Sequence, residues 1–227
     1  MALFAISDLH LSFTTDKSME VFRGWENYVE RIQNNWTRVV SDSDAVVIPG
    51  DISWELKIEN AVKDFEFLNN LPGKKYIIKG NHDLWWNSMK KMNEFLEQNN
   101  FSTITFLNNS AALEEGVSIC GTRGWLIEES GTDSKLINRE ALRLKASLEE
   151  GRKLGENPIV FLHYPPVTDT QQCKEIIDVL KAYNVTKVYY GHLHGGSTLY
   201  AVNGDVDGIN YKLVSADRVD FTPVLVH

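Results

Sequence analysis

An α/β layered fold is predicted by three features of the sequence. Short apolar runs alternate with stretches of helical periodicity. Each run ends in a small cluster of glycine, polar or charged residues, as where a parallel strand leaves its sheet. No repeat, low-complexity tract or Pro/Ser-rich linker interrupts the 227 residues, so one domain over 1–227 is expected.

In chain order, strands are expected at 3–6, 45–48, 75–78, 159–162 and 187–190. Helices are expected at 21–40, 58–69, 88–98, 137–154 and 173–182, where apolar residues recur with helical spacing. From 103 to 120 and from 197 to 226, turn signals such as Asn108-Asn109 and Asn203-Gly204 separate shorter strands, which read as antiparallel extensions of the sheets. Segments 12–22 and 126–133 are the loops expected to flank a site.

Composition narrows the function classes. Apolar residues at 43% and charged residues at 24% describe a folded globular chain. With 23 Lys plus Arg against 31 Asp plus Glu, the net charge of −8 opposes generic binding to nucleic acid or anionic lipid, so no basic nucleic-acid groove and no membrane association are expected. The two cysteines, Cys120 and Cys173, lie in no ligand spacing and read as buried thiols of a reducing compartment. The apolar start meets Asp8 and His10 at once, unlike a signal peptide, and no run approaches the ~18 apolar residues of a membrane span, so a cytoplasmic location is expected. The acidic pairs Glu114-Glu115, Glu128-Glu129 and Glu149-Glu150 stand apart from any histidine and read as solvated surface.

The chemistry sits at the strand ends. Five of the six histidines directly follow apolar runs, in Asp8-Leu9-His10, Gly80-Asn81-His82-Asp83, His163 and Gly191-His192-Leu193-His194, and Gly50-Asp51 ends a further run. In open α/β sheets such clusters converge beyond the carboxyl ends of the strands. Carboxylate, amide and imidazole donors without thiolate suit manganese, iron or zinc. Residues two apart on an extended chain face one side, which brings Asp8 with His10, and His192 with His194, toward one ion. Seen singly, each residue has a plainer role: His163 as a core histidine, Asp8 and Asp51 as strand-end acids, Asn81 and Gly80 as turn residues. Turn chemistry gives no reason for the whole set to recur after five strands.

In order, these blocks resemble those of the calcineurin-like metallophosphoesterases over nearly the whole chain. The resemblance implies two facing mixed β-sheets flanked by helices. It implies two divalent metal ions, manganese favoured over iron or zinc, with Asp8, His10 and His194 on one, Asn81, His163 and His192 on the other, and Asp51 bridging. It further implies phosphoester hydrolysis by in-line attack of a metal-bridging hydroxide, with His82 protonating the leaving oxygen and Asp83 orienting that region.

Substrate contacts are expected from Trp54, Trp86 and Tyr164, which follow the ligand blocks, although core packing is the commoner role of such rings. Arg123 is the expected phosphate clamp, with a surface ion pair as its plainer role. The strand-end blocks otherwise supply only Lys79 as a cation, and a monoester dianion is usually gripped by several, so a phosphodiester in a small phosphorylated substrate is favoured. The alternatives are a phosphomonoesterase of metabolites or phosphoproteins, a nuclease, which the acidic balance disfavours, and a catalytically silent phosphate-binding or scaffolding member, which would have lost Asp51, Asn81 or His82 first.

Overall fold

The computed structural model describes residues 1–125, 134–155 and 157–227. The loop expected at 126–133, with the Glu128-Glu129 pair, lies outside the described residues. Two mixed sheets face each other. The first has the order β11-β1-β2-β3-β4, built from β1 (Leu3–Ala5), β2 (Ala45–Pro49), β3 (Lys74–Ile78), β4 (Ile104–Leu107) and β11 (Val224–Leu225). The second has the order β5-β6-β7-β8-β10-β9, built from β5 (Ala111–Glu114), β6 (Val117–Thr122), β7 (Pro158–Leu162), β8 (Lys187–Tyr190), β9 (Gly204–Val206) and β10 (Ile209–Leu213).

Three apolar layers follow from the two-residue period of the strands. Leu3, Ala5, Val47 and Ile78 meet Val117, Ile119, Ile159, Phe161 and Val214 between the sheets. Phe4, Ile6, Val46, Ile48 and Ile77 point the other way, onto α1 (Tyr28–Val39), α2 (Val62–Asn70) and α3 (Met89–Gln98), through Trp36, Phe65 and Phe95. Val160, Leu162, Val188 and Tyr190 pack on α4 (Ser134–Leu154) and α5 (Lys174–Ala182). Within α4, Gly151 lies so close to β6 that a Cβ there would meet Cys120 Sγ, which explains a glycine inside a long helix. Cys120 and Cys173 are buried free thiols, as expected.

Four expectations need correction. The helix expected from residue 21 begins at Tyr28, because Gly24 (φ 92°) and Asn27 (φ 53°) are left-handed. Residues 19–21 form only a 3-10 turn. Within the segments read as antiparallel, β4 is parallel to β3 and β10 is parallel to β8; only the pairs β5–β6, β9–β10 and β1–β11 are antiparallel. The β9–β10 turn is at Asp207-Gly208 (φ 51° and 81°), the Asp-Gly signal of a tight hairpin, while Gly204 already belongs to β9. Glu114 is buried, not solvated: it accepts from Lys74 Nζ (2.8 Å) and Tyr76 Oη (2.5 Å) of β3, joining the sheets at one edge.

Leu144 anchors α4 and is fully buried. Leu144→Ala is expected to lower stability by about 2–5 kcal/mol, read as a fall in the urea midpoint at unchanged slope. A loss under about 1 kcal/mol would contradict this packing.

Candidate metal centre

Because β1, β2, β3, β7 and β8 run parallel within their sheets, each delivers its last residues to one edge of the molecule. The backbone there turns abruptly. Asp8 (φ 61°), His10 (φ 46°), Asp51 (φ 55°) and His192 (φ 73°) all occupy the left-handed region, which L-residues enter at a cost and which clusters at functional sites. The side chains of Asp8 and His10 therefore converge through two left-handed turns and not through the pleat of an extended strand. These turns are held by Asp8 N–H to Gly50 O (3.0 Å) and His10 N–H to Asp51 O (3.0 Å). Space explains two glycines: a Cβ on Gly50 would come within 2.8 Å of His163 Nδ1, and one on Gly80 would overlap the Asp51 carboxylate.

The seven expected ligands come together. Asp8 Oδ1 is 3.2 Å and His10 Nε2 is 3.3 Å from His194 Nε2, while Asp51 Oδ2 lies 3.8 Å from His10 Nε2. On the other side, Asn81 Oδ1 is 2.5 Å from His163 Nε2 and 2.9 Å from His192 Nδ1, and Asp51 Oδ2 is 3.5 Å from His163 Nε2. Asp51 thus stands between two donor groups. Asp8 is grouped with both His10 and His194 and with Asp51 and His163, a wider reach than the single group expected for it.

Tautomers decide whether these donors fit cations. His163 Nδ1 donates to Pro49 O (3.0 Å), so its Nε2 carries a lone pair, and that lone pair meets the oxygens of Asn81 and Asp51. His194 Nδ1 donates to Asp217 Oδ1 (3.2 Å), which turns Nε2 toward His10 and Asp8; without metal that nitrogen carries a proton facing Asp8 Oδ1, and its lone pair becomes a donor once the proton leaves. Acceptors facing acceptors are repulsive unless a cation lies between them, and an imidazole oriented by an outer hydrogen bond is the usual form of a metal-ligating histidine. The residues fit divalent metals of the manganese, iron and zinc type.

Charge follows the same division. Burial pushes His163 down to about 3 and His192 down to about 4, so both imidazoles are neutral. Burial also opposes the charged form of His194, but Asp8 and Asp217 outweigh it and raise this histidine to about 10. Burial alone would raise Asp8; His194, with His163 and His10, holds it well below the usual range.

The remaining expected residues divide. His82 donates its backbone N–H to Asp51 Oδ1 (2.8 Å), and its exposed ring stands against Trp54, centroids 4.5 Å apart. Trp54 stacks on His10 at 4.7 Å and 19°. Asp83 is fully buried and accepts from Asp51 N (2.9 Å), Ile52 N (2.8 Å), Gly80 N (2.7 Å) and Trp85 Nε1 (3.1 Å), so it positions the β2 and β3 exits. Tyr164 lies against His192, centroids 4.4 Å apart. Trp86, partly buried, packs on Trp85 and Phe106 against the core that also holds Phe65 and Phe95. Arg123 meets the ligands through its carbonyl, which accepts the His163 N–H (3.1 Å), while its guanidinium stacks on Trp125 and lies 3.8 Å from Glu140.

Two contributors escaped the sequence reading. Asp217 follows β10, which is parallel to β8 and ends at the same edge, so the strand-end rule applied to it as well. Trp25, in the segment expected to be helical, sets its edge toward His10 (6.0 Å) and His194 (5.8 Å).

These protonation states give a signed expectation. Without metal, His194 keeps a proton up to about pH 10, and a cation must displace it. Divalent-metal affinity should therefore rise roughly tenfold per pH unit between about pH 6 and 8, with at least one proton released per chain. Calorimetry in buffers of different ionisation enthalpy measures that release; a pH-independent affinity would contradict the assignment.

A family model for calcineurin-like phosphoesterases matches residues 1–196. No curated protein matches the chain. Among solved structures, the phosphopantetheinyl hydrolase from Mycobacterium tuberculosis is similar at a TM-score of 0.58 and 15% identity, covering 99% of this chain and 95% of that one. A protein of unknown function from Aquifex aeolicus is similar at a TM-score of 0.55 and 15% identity, with the same coverage. At such identities the neighbours speak for the fold alone. The match over residues 1–196 covers every strand-end block described above, and the chain belongs to the calcineurin-like phosphoesterases, metal-dependent hydrolases of phosphoesters.

Proposed function

We propose that the protein hydrolyses a phosphodiester in a small phosphorylated molecule whose leaving group is apolar or aromatic, using two divalent cations, manganese favoured. The observation that carries this reading is a cavity of about 370 Å³ opening on His10, His82 and His194, walled by Met19, Phe22, Trp25 and Trp54. Arg23 is the one Lys or Arg in that wall. Such a cleft suits an uncharged leaving group, and a single-charged diester asks for fewer protein cations than a monoester dianion. The buried thiols and the net charge of −8 support a reducing, cytoplasmic setting.

When bound, two cations supply Lewis acidity at phosphate oxygens and an activated water. Asp8, His10 and His194 would hold one, Asn81, His163 and His192 the other, and Asp51 both. Trp54 fixes His10 by stacking and restricts the His82 ring to the mouth of the cleft. From there the imidazole N–H of His82 reaches the leaving oxygen and transfers or shares its proton as the ester bond breaks. Trp25 and Met19 keep water from the leaving-group side.

Bis(p-nitrophenyl) phosphate is expected to show a higher kcat/KM than p-nitrophenyl phosphate for the manganese-loaded protein at one pH; the reverse order would overturn the diester reading. His82→Ala should retain its metal content while kcat for an alkyl-leaving-group ester falls about 10²- to 10⁴-fold. Loss of metal in that variant, seen by elemental analysis, would instead make His82 a ligand.

A further inference from the structure

Beyond the metal ligands, cations gather in one other place at the same edge of the molecule. Lys79, Arg123, Arg139 and Arg143, with Asn108 and Asn109, line a cavity of about 190 Å³ at the carboxyl ends of β3, β4 and β6. Glu140 is the single carboxylate within ion-pair distance among the described residues, 2.6 Å from Arg143 Nη1 and 3.8 Å from Arg123 Nη2, and it also accepts from Thr122 Oγ1 (2.9 Å). Among the described residues, Lys79 and Arg139 have no ion-pair partner, and Arg123 Nε is buried without an acceptor. Four cations that share one occupied carboxylate among the described residues repel one another, and an enclosed unsatisfied N–H is costly; a bound anion relieves both.

We propose that this cavity is an anion subsite, holding a second anionic group of the substrate, a phosphate or carboxylate, on the flank of the metal centre away from the apolar cleft. The word substrate here rests on the phosphodiester reading; the anion site itself does not. Geometry ties the subsite to the centre: Lys79 stands two residues before Asn81, and the Arg123 carbonyl binds the N–H groups of His163 (3.1 Å) and Tyr164 (2.8 Å). Arg123 Cζ lies over the Trp125 ring, 4.7 Å from its centroid, a contact that restrains the fork before an oxyanion arrives. The walls of the cleft come from the loops after β1 and β2, with His82 after β3 and His194 after β8 at its base, whereas this cavity is built on the ends of β3, β4 and β6, toward the other side of the ligands. The cavity's size admits a phosphate-sized group. The cations that the strand-end blocks themselves lack are thus supplied mainly by α4, through Arg139 and Arg143.

The test uses the full chain, zinc-loaded and nitrogen-15 labelled, titrated with sodium sulfate at constant ionic strength. Saturable shifts of the Arg123 and Arg143 side-chain N–H signals are expected. Arg139→Gln, at an exposed helix position, should weaken that binding about tenfold, and Arg143→Gln should do so again. Shifts that never saturate, or that fall only on the centre's histidines, would overturn the subsite. A kinetic arm assigns the source of the anion: sulfate should compete with a p-nitrophenyl phosphodiester carrying a second phosphate on the non-leaving side and not with bis(p-nitrophenyl) phosphate. Competition against both or neither would overturn the substrate role and leave a free anion as the occupant. If neither ester is hydrolysed, the functional reading fails while the titration still decides the anion site.

Discussion

Asp8 and Asp51 are two carboxylates buried next to each other, and most of what surrounds them answers the cost of that placement. Removing one carboxylate from water costs several kcal/mol unless it is paired, and a second beside it adds repulsion. The chain supplies partial compensation: the His192 N–H (3.0 Å) and the Ser7 hydroxyl donate to Asp8, and the His82 N–H (2.8 Å) donates to Asp51. What remains is negative charge beside the neutral imidazoles of His163 and His192 and a protonated His194, a proton that a divalent cation would replace. The catalytic capacity of the fold and its principal electrostatic burden are therefore the same feature.

A tier of groups behind the ligands makes that burden tolerable. Asp83 ties the exits of β2 and β3 together through three backbone N–H groups, and burial nonetheless pushes its carboxyl up to about 6. Pro49 O and Asp217 fix the tautomers of His163 and His194. Left-handed residues at Asp8, His10, Asp51 and His192 each cost something in backbone energy, and the surrounding hydrogen bonds hold them there. Rigidity of this kind favours turnover because little reorganisation is left for the reaction itself.

Strand positions and the donor residues that gather at one edge were legible in the sequence because both follow local rules: an apolar run, then a break, then polar side chains. The five central strands match their expected places within a residue or so at each end. What failed was non-local. The sense of β4 and β10 depends on how the chain crosses between layers, which no short window records. The late start of α1 depends on Gly24 and Asn27 overriding an apolar period. The surroundings of the Arg123 guanidinium were likewise hidden: Glu140, seventeen residues on, and Trp125 orient it. Trp86 follows a ligand block yet packs, partly buried, against Phe106 and Trp85 at the margin of the core.

The donors come from both sheets. Asp8, Asp51 and Asn81 follow strands of the first, whereas His163, His192 and His194 follow strands of the second. Most of the seam between the sheets is apolar packing, pinned by Ser7 N–H to Val214 O (2.9 Å) and Ala216 N–H to Ser7 O (2.9 Å); a shared ion at its rim would be a further directional rivet. Metal loading would then couple the two layers more tightly, so that prising the sheets apart and releasing the cations become a single cooperative event, and the loaded protein resists force and proteolysis through a slower unfolding step.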